Sequence, residues 1–538
     1  MKKESRVRNS FLNVITSIGS QVLIMVLKFV TRTIFISALG KEYLGINGLF
    51  ADILSMLSLA ELGVDAAITY QLYKPLAEHD DKRVRILMKF YKQAYRVIGA
   101  VILLLGLALI PLLPVLIRDY ESLAALHINA VLVFIMFLLQ SVSSYWFFAY
   151  RSTIMGANQK KYVLEIADYA ITIVSNATQI LVLIFFKNFI AYTATVLCFS
   201  VITNLVNATI AQRYYPQFFE KEKDSLKKEE ILMLFKDCGS VFLYRMNSVV
   251  LKATDNIVLS SFLGLGIVGL YSNYLLFYTI IRNLLNQVYN SVRASLGNLF
   301  VDADMEKKYK MFRVMNFLTV VLYGTAAVGI TTCADEFISV WISDSYVIAQ
   351  PFALLVGVEI YLLGLANNVY QIRSVSGAFR YMWYRPLIGI VVNIVLSVVL
   401  VQVWGIYGVL IGTIASLLST NIIMDTHVVY KYSFLGIKHP ADYYLRNGLY
   451  LIVLAAVGAA DYWACRHFFT GHGWFSLIVH ILIVAVTVPS VFILLFWKSD
   501  SCRYLVQVVK RPINKLIGKR GKKRANEEHS EDSTSSEE

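Results

Sequence analysis

The chain has 538 residues, 57% of them hydrophobic and only 16% charged, with a formal net charge of +14 and a mean hydropathy of +0.59. A soluble protein of this size carries about a quarter charged residues, and the apolar residues here come in runs that match the roughly 20 residues needed to cross a hydrocarbon core. A soluble enzyme and a nucleic-acid binder are excluded, because the positive-inside rule accounts for the basic excess.

In chain order, the basic start MKKESRVRNS precedes a hydrophobic stretch with no small-residue cleavage pattern. That stretch contains Lys28 and Arg32, so it reads as a retained first span and not a signal peptide. Spans are expected near 11–37, 43–73, 86–117, 122–150, 162–186, 189–212, 236–262, 267–293, 310–332, 347–372, 381–403, 405–430, 446–469 and 474–497. The fold class expected is all-α: a polytopic membrane protein of about 14 transmembrane helices. With the N-terminus inside, 41 of the 50 Lys and Arg residues fall in inner segments, four in outer connections (Lys41, Arg118, Lys187, Arg466) and five within spans. The longest outer loop is expected at Cys333–Ile348, which carries Asp335, Glu336 and Asp344 but no Lys or Arg. Both ends are therefore placed in the cytoplasm, in the inner (plasma) membrane of the cell. The five cysteines have neither CxxC nor metal-ligand spacing and read as free thiols, and no cofactor is expected. The tail after Lys510 is basic, then Ser/Glu-rich; its basic half suits an anionic inner leaflet.

An internal repeat is visible. Leu39-Gly40-Lys41-Glu42-Tyr43-Leu44-Gly45-Ile46 returns as Leu263-Gly264-Leu265-Gly266-Ile267-Val268-Gly269-Leu270, an offset of 224 that also sets Lys28 on Lys252. Gly156-Ala157 returns as Gly377-Ala378 at an offset of 221. The plan is two pseudo-symmetric six-helix lobes, related by an axis along the membrane normal, plus two C-terminal helices. Its boundaries are 1–9 (cytoplasmic N-terminus), 10–212 (N-lobe), 213–235 (inter-lobe loop), 236–430 (C-lobe), 431–497 (last two spans) and 498–538 (cytoplasmic tail).

Charges in hydrocarbon cost at least about 2.5–3.5 kcal/mol each near a helix centre, so they face protein or water-filled cavities. Lys28 and Arg32 share a face of the first span; Arg245 and Lys252 share a face of the seventh; Arg282 lies in the eighth. If spans 1 and 7 face each other, these cations line a cleft suited to a polyanionic headgroup, since guanidinium groups pair with phosphate oxygens. The alternative is structural pairing: Asp52 lies at about the depth of Lys28, Asp255 is three residues from Lys252, and Arg32 has the reach to snorkel to the outer headgroups. Glu61, Asp65 and Glu359 read either as an ion or proton site or as charge partners. Asp461 has no visible mate, while Asp168 and Asp425 read as interfacial. Tyr271, Tyr274 and Tyr278, followed by Asn283, Asn286, Gln287 and Asn290, form a stripe that suits a wet, sugar-stacking path or, equally, interhelical hydrogen bonding. Asn367, Asn368, Tyr370 and Gln371 allow the same two readings. There is no Walker A loop, HExxH or GxSxG, so no enzymatic constellation is present.

The string ALGKEYLGINGLFADILSMLSLAELGVDAAITYQLYKPLAEHD, with its LG-xxx-LG-I turn, LAELG run and YKPLA segment, resembles the Wzx-type polysaccharide flippases of the MOP (multidrug/oligosaccharidyl-lipid/polysaccharide) exporter superfamily. The resemblance extends over about residues 10–497. It implies a MOP/MATE-like, two-lobed bundle with alternating access and no enzymatic activity. The cargo would be an undecaprenyl-diphosphate-linked oligosaccharide, moved from the inner to the outer leaflet for surface polysaccharide biosynthesis. Lys28, Lys252 and Arg282 occupy helices comparable to those whose basic residues line the cavity in related flippases. The implied partners are the lipid-linked oligosaccharide, membrane lipids, and a polymerase or glycosyltransferases of the same pathway. The rivals are a MATE-like drug/cation antiporter, which calls for a carboxylate-dominated cavity; a lipid II flippase; and a membrane-embedded glycan polymerase or ligase, which calls for a large outer loop.

Overall fold

The computed structural model describes residues 24–507 apart from 126–127, 303, 379–380, 469–470 and 472, and omits the side chains of 60–67, 70, 124–125, 233–242, 244–245 and 288–302. Helix α1 spans 24–39 and α2 Lys41–Leu57; a short 3-10 turn then leads into α3, Glu61–Glu78. There follow α4 (Asp81–Leu109), α5 (Ala130–Trp146), α6 (Lys161–Phe185), α7 (Phe189–Tyr214), α8 (Lys228–Leu263) and α9 (Leu265–Asp302). After these come α10 (Met305–Trp341), α11 (Phe352–Val375), α12 (Arg385–Trp404), α13 (Ile406–Ser416), α14 (Ala441–Phe468) and α15 (Trp474–Leu495). The chain leaves α13 as π-helix over Leu417–Met424. No strand occurs among the described residues.

Helix starts follow local chemistry. Asp80, Asn129 and Asn188 each accept a hydrogen bond from the backbone N–H three residues on, at 2.9–3.0 Å, which satisfies an orphan donor of α4, α5 and α7. Pro386 sits in the first turn of α12, where its missing N–H costs nothing. Among the described residues nine helices are long and apolar enough to cross a membrane, and a tenth crossing arises if the bent pair Ala130–Trp146 and Ala149–Ala157 is one span. Large apolar side chains face outward, Leu104 at 67% and Phe475 at 82% exposure, as hydrocarbon solvent permits. The protein is a multi-pass membrane protein.

Two compact units are present. The first contains residues up to Ile280 with Ile338–Leu355 and Phe379–Thr420. Its core includes Phe50 edge-on to Phe134, at 5.2 Å between centroids. The segment before α8 and the first turn of α8 are strapped to the start of α4 by Lys82–Asp224 (2.7 Å), Arg83–Glu230 (2.9 Å) and Arg85–Glu222 (3.2 Å). Lys89 donates to the carbonyls of Lys223 and Asp224. The hydrogen bond from Lys82 holds the Asp224 carboxyl below the usual carboxylate range.

Within this unit the sequence offset of 224 becomes a reciprocal contact. Gly40 and Gly264 precede α2 and α9 with φ of 100° and 89°, conformations that side chains disfavour. One turn into each helix a glycine then meets the other helix's backbone. A Cβ on Gly45 would stand 2.1 Å from the Leu265 carbonyl oxygen, and a Cβ on Gly269 would stand 2.1 Å from that of Lys41. Beside them, Arg118 donates from its backbone to Ser260 O (3.2 Å) and from its guanidinium to Phe262 O (2.6 Å).

The second unit contains Ile281–Phe337, Val356–Ala378 and the chain from Asn421. At its centre Arg373, 0% exposed at the end of α11, is paired with Asp425, 1% exposed in the continuation of α13. Tyr309 donates to Asp442, which also pairs with Arg446 one turn along α14.

Several expectations are corrected. Asp425 is not interfacial but buried in an ion pair, and Arg373 and Arg385, counted as loop charges, are 0% and 1% exposed. Asp461 does have a mate, accepting from Thr487 at 2.6 Å. The outer loop expected at Cys333–Ile348 is helical through Trp341, because the 37-residue α10 spans about 55 Å and overruns a bilayer core of about 30 Å.

Two outcomes are expected. Gly45→Val and Gly269→Val should each destabilise the protein by about 1–3 kcal/mol or more through overpacking; Gly156→Val, where nothing lies within 4 Å, should leave thermal unfolding in detergent unchanged. Asp425→Ala should cost about 3–5 kcal/mol, whereas Asp425→Leu combined with Arg373→Met should restore most of it, because the uncompensated buried charge is the larger penalty; melting temperatures of the three proteins decide.

Candidate functional site

The polar residues of the apolar helices sort by how they are satisfied. On α1, Arg32 is half-buried and bound by neutral groups of α9: Nε donates to Asn273 Oδ1 at 3.0 Å, and one terminal nitrogen donates to Ser272 Oγ at 2.6 Å and Asn273 Oδ1 at 2.9 Å. Arg32 is thus held between helices within the first unit and does not snorkel. One turn before it, Lys28 is exposed, and no hydrogen bond or ion pair to its side chain occurs among the described residues. Its side chain extends from an otherwise apolar turn, Leu27 to Val30.

On α8, Lys252 is exposed although the four residues after it, Ala253 to Asn256, are at most 6% exposed. Its ammonium lies in the field of Asp52 on α2, yet no bond or ion pair at 4 Å joins them. The Asp52 carboxylate instead accepts a hydrogen bond from the amide of Asn256. Asp52 is therefore joined to α8 rather than to Lys28. Asp255 turns the other way. It accepts from the hydroxyls of Thr413 (3.0 Å) and Tyr271 (3.3 Å), and Asn393 donates to Thr413 at 2.9 Å.

The tyrosine stripe of α9 does not line an open path in this conformation. Tyr271, Tyr274 and Tyr278 are 2%, 2% and 5% exposed. Tyr274 accepts a hydrogen bond from the backbone N–H of Ile348 at 3.1 Å, and its ring stands edge-on to Phe352 at 4.8 Å. The periodicity correctly groups these residues on one face, but that face is packed against protein.

In the second unit, Arg282 is half-buried without a hydrogen bond or ion pair among the described residues, and it lies in the field of Tyr323. Asn283 is exposed. Asn286 accepts from Tyr323 and from Asn367, each at 3.2 Å, and Gln371 donates to Asn367 at 3.4 Å. A second amide chain runs from Asn368 to Asn316 (3.4 Å) and from Asn316 to Asn447 (3.0 Å). Glu359 is half-buried. The side chains of Glu61, Asp65, Arg245 and Asn290 lie outside the described residues.

Sequence reasoning missed Ser272, Asn273, Asn256, Thr413, Asn393 and Tyr323 as partners. The available signal was their type, since an amide or hydroxyl in an apolar span needs a hydrogen-bond partner in a medium without water. Among the described residues no group of three His, Cys, Asp or Glu side chains converges as a metal site would require. What the arrangement offers chemically is positive charge without a described carboxylate partner, flanked by amides and hydroxyls already engaged with one another.

The structure resembles known transporters over most of its length. A lipid II flippase, MurJ, in an inward closed conformation aligns with a TM-score of 0.59 at 13% identity, covering 90% of this chain and 99% of that one. The MATE multidrug transporter DinF-BH in complex with R6G gives 0.57 at 16% identity, covering 79% and 96%. An inward-facing MATE-family transporter of the MOP superfamily gives 0.54 at 14% identity, covering 77% and 96%. These likenesses define the fold. A comparison with curated proteins yields no sequence match. The family model described as polysaccharide biosynthesis protein matches residues 11–293, more than half of the chain. This all-helical membrane chain, with the fold of the MOP transporters, therefore belongs to the polysaccharide biosynthesis protein family.

Proposed function

We propose that the protein flips an undecaprenyl-diphosphate-linked oligosaccharide from the inner to the outer leaflet for surface polysaccharide biosynthesis. The observation that carries this reading is the state of three cations. Lys28, Lys252 and Arg282 lie on helices that the sequence pattern puts within the membrane, and none is paired with a carboxylate among the described residues. An unpaired cation cannot rest in hydrocarbon at a cost of about 2.5–3.5 kcal/mol or more, so each faces water or an anionic cargo. A diphosphate is the part of a lipid-linked sugar that such cations recognise, through charge-assisted hydrogen bonds. Arg32, held by Ser272 and Asn273, positions α1 against α9 and is assigned a supporting place. The buried tyrosines of α9 are not assigned to the sugars in this conformation.

Alternating access requires a contact that opens. We assign that role to the reciprocal Gly45 and Gly269 contact with its Arg118 flank, on the side that the Lys and Arg distribution places outside. Both chain ends are then cytoplasmic, in the inner membrane. Binding the cargo more strongly in one leaflet-facing state than in the other is what converts a gradient into net flipping. The family description favours a pathway with a polymerase or glycosyltransferases as neighbours.

Lys252→Ala should lower surface-glycan export by about tenfold or more at unchanged protein level, since a hydrogen bond to a charged group contributes about 1.5–3 kcal/mol; full export by this variant would remove the ammonium from the mechanism. Glu42 and Gly266 face each other across the reciprocal contact, with a Cβ on Gly266 reaching 3.7 Å from Glu42 Oε1. Cross-linking Glu42→Cys to Gly266→Cys with a short cleavable reagent, in a cysteine-free background, should halt export until the linker is cleaved. Undiminished export by the cross-linked protein would show that this contact need not open.

A further inference from the structure

Helix α4 begins with a run of cations that divides into two groups. Lys82, Arg83, Arg85 and Lys89 are all matched, by Asp224, Glu230, Glu222 and two linker carbonyls. The next two, Lys92 and Arg96, are not. They lie one turn apart on one face, and neither side chain makes a hydrogen bond or ion pair among the described residues. A third cation joins them from the next span. After α5 the chain turns through Phe148, at φ 62°, and this bend of 48° brings Arg151 back toward α4. Tyr91, the residue before Lys92, meets Tyr150, the residue before Arg151, at 6.4 Å between ring centroids, so the two cations lie on neighbouring turns, and Lys92 lies in the field of both Arg96 and Arg151.

Arg151 is fixed without a carboxylate. Its guanidinium donates to Gln212, stacks over Phe148 at 4.5 Å and over Phe219 at 5.2 Å, and keeps a buried Nε with no hydrogen bond. On the adjoining α6, Glu165 is engaged by Lys161 at 3.5 Å and Asp168 by Asn207 at 2.8 Å. Three positive charges are thus held together without a described counter-charge, an arrangement that repels itself unless an anion occupies it.

The surroundings identify the anion. Trp146, 45% exposed, donates its indole N–H to the Arg96 carbonyl at 3.4 Å, and Phe147 beside it is 39% exposed. Farther along α4 the face that carries Lys92 and Arg96 turns apolar, with Leu103 partly buried and Leu107 at 44% exposure. An indole at the rim, cations on one side of it and an aliphatic strip on the other form the profile of a membrane–water interface. A free anion would have no use for the strip; a phosphate carrying acyl chains uses both.

We propose that Lys92, Arg96 and Arg151 form a headgroup site for an anionic phospholipid of the adjoining leaflet, with its acyl chains along Leu103 and Leu107. The site is independent of the cargo assigned above. It anchors the bend after α5 to α4 through a lipid rather than through an ion pair.

The test uses the full-length protein in neutral detergent, titrated with phosphatidylglycerol, phosphatidylcholine and inorganic phosphate, with bound lipid read by native mass spectrometry. Phosphatidylglycerol should be retained over phosphatidylcholine. The triple variant Lys92→Gln, Arg96→Gln, Arg151→Gln should weaken its binding by about tenfold or more. Neutralising the paired cations with Lys82→Gln and Arg85→Gln should leave it within about twofold. Should the triple variant fail to fold, Arg96→Gln alone, at an exposed position, should weaken binding by about threefold. Wild-type retention by a folded variant, equal binding of phosphatidylcholine, or displacement by inorganic phosphate would each overturn the proposal. Displacement of phosphatidylglycerol by an isoprenyl diphosphate would also overturn it, by giving the cluster to a transported lipid.

Discussion

The cost of bare charge in hydrocarbon organises this molecule. An apolar helix that carries an ionisable side chain must give it a counter-charge, a set of neutral dipoles, or water. All three solutions occur. Arg373 has Asp425, and the pair is shut away from solvent. Arg32 has Ser272 and Asn273, which satisfy its guanidinium but leave its charge in place. Lys28 and Lys252 have neither a bond nor an ion pair among the described residues. The three solutions correspond to three kinds of work: holding a unit together, joining two helices and, under the function proposed above, presenting charge to the cargo.

The carboxylates obey the same rule. Asp52 and Asp255 sit close to Lys252 in space or in sequence, yet each is engaged by amides or hydroxyls instead of forming a salt bridge with it. A direct salt bridge would have made the same residues purely structural. The anion carriage proposed above rests on this difference, and the chain's family is one of polysaccharide biosynthesis.

Much of the fold was legible in the chain because the bilayer imposes one length and one solvent on every span. Hydropathy yielded the order of helices, and the repeat at an offset of 224 pointed to the pair of glycine turns that meet as Gly45 and Gly269. Other features were beyond its reach for physical reasons. Counting cations by loop treats Arg373 as solvated, because a buried partner 52 residues away leaves no local trace. Helical spacing places Tyr271, Tyr274 and Tyr278 on one face but carries no information on helix rotation, so packing against Phe352 and an open path read alike. The length of α10 was underestimated because Asp335 and Glu336 look like a loop, whereas Glu336 is held within the helix by its pairing with His480 at 2.6 Å.

The twin glycine approach also bears on how the protein can move. Each helix offers its own glycine to the other's carbonyl, so the two clearances share one axis and one separation. Each approach is to a backbone carbonyl, which no rotation of a side chain can move aside. Only separation frees both together, and the junction should accordingly behave as a two-position latch, with few stable states between shut and open.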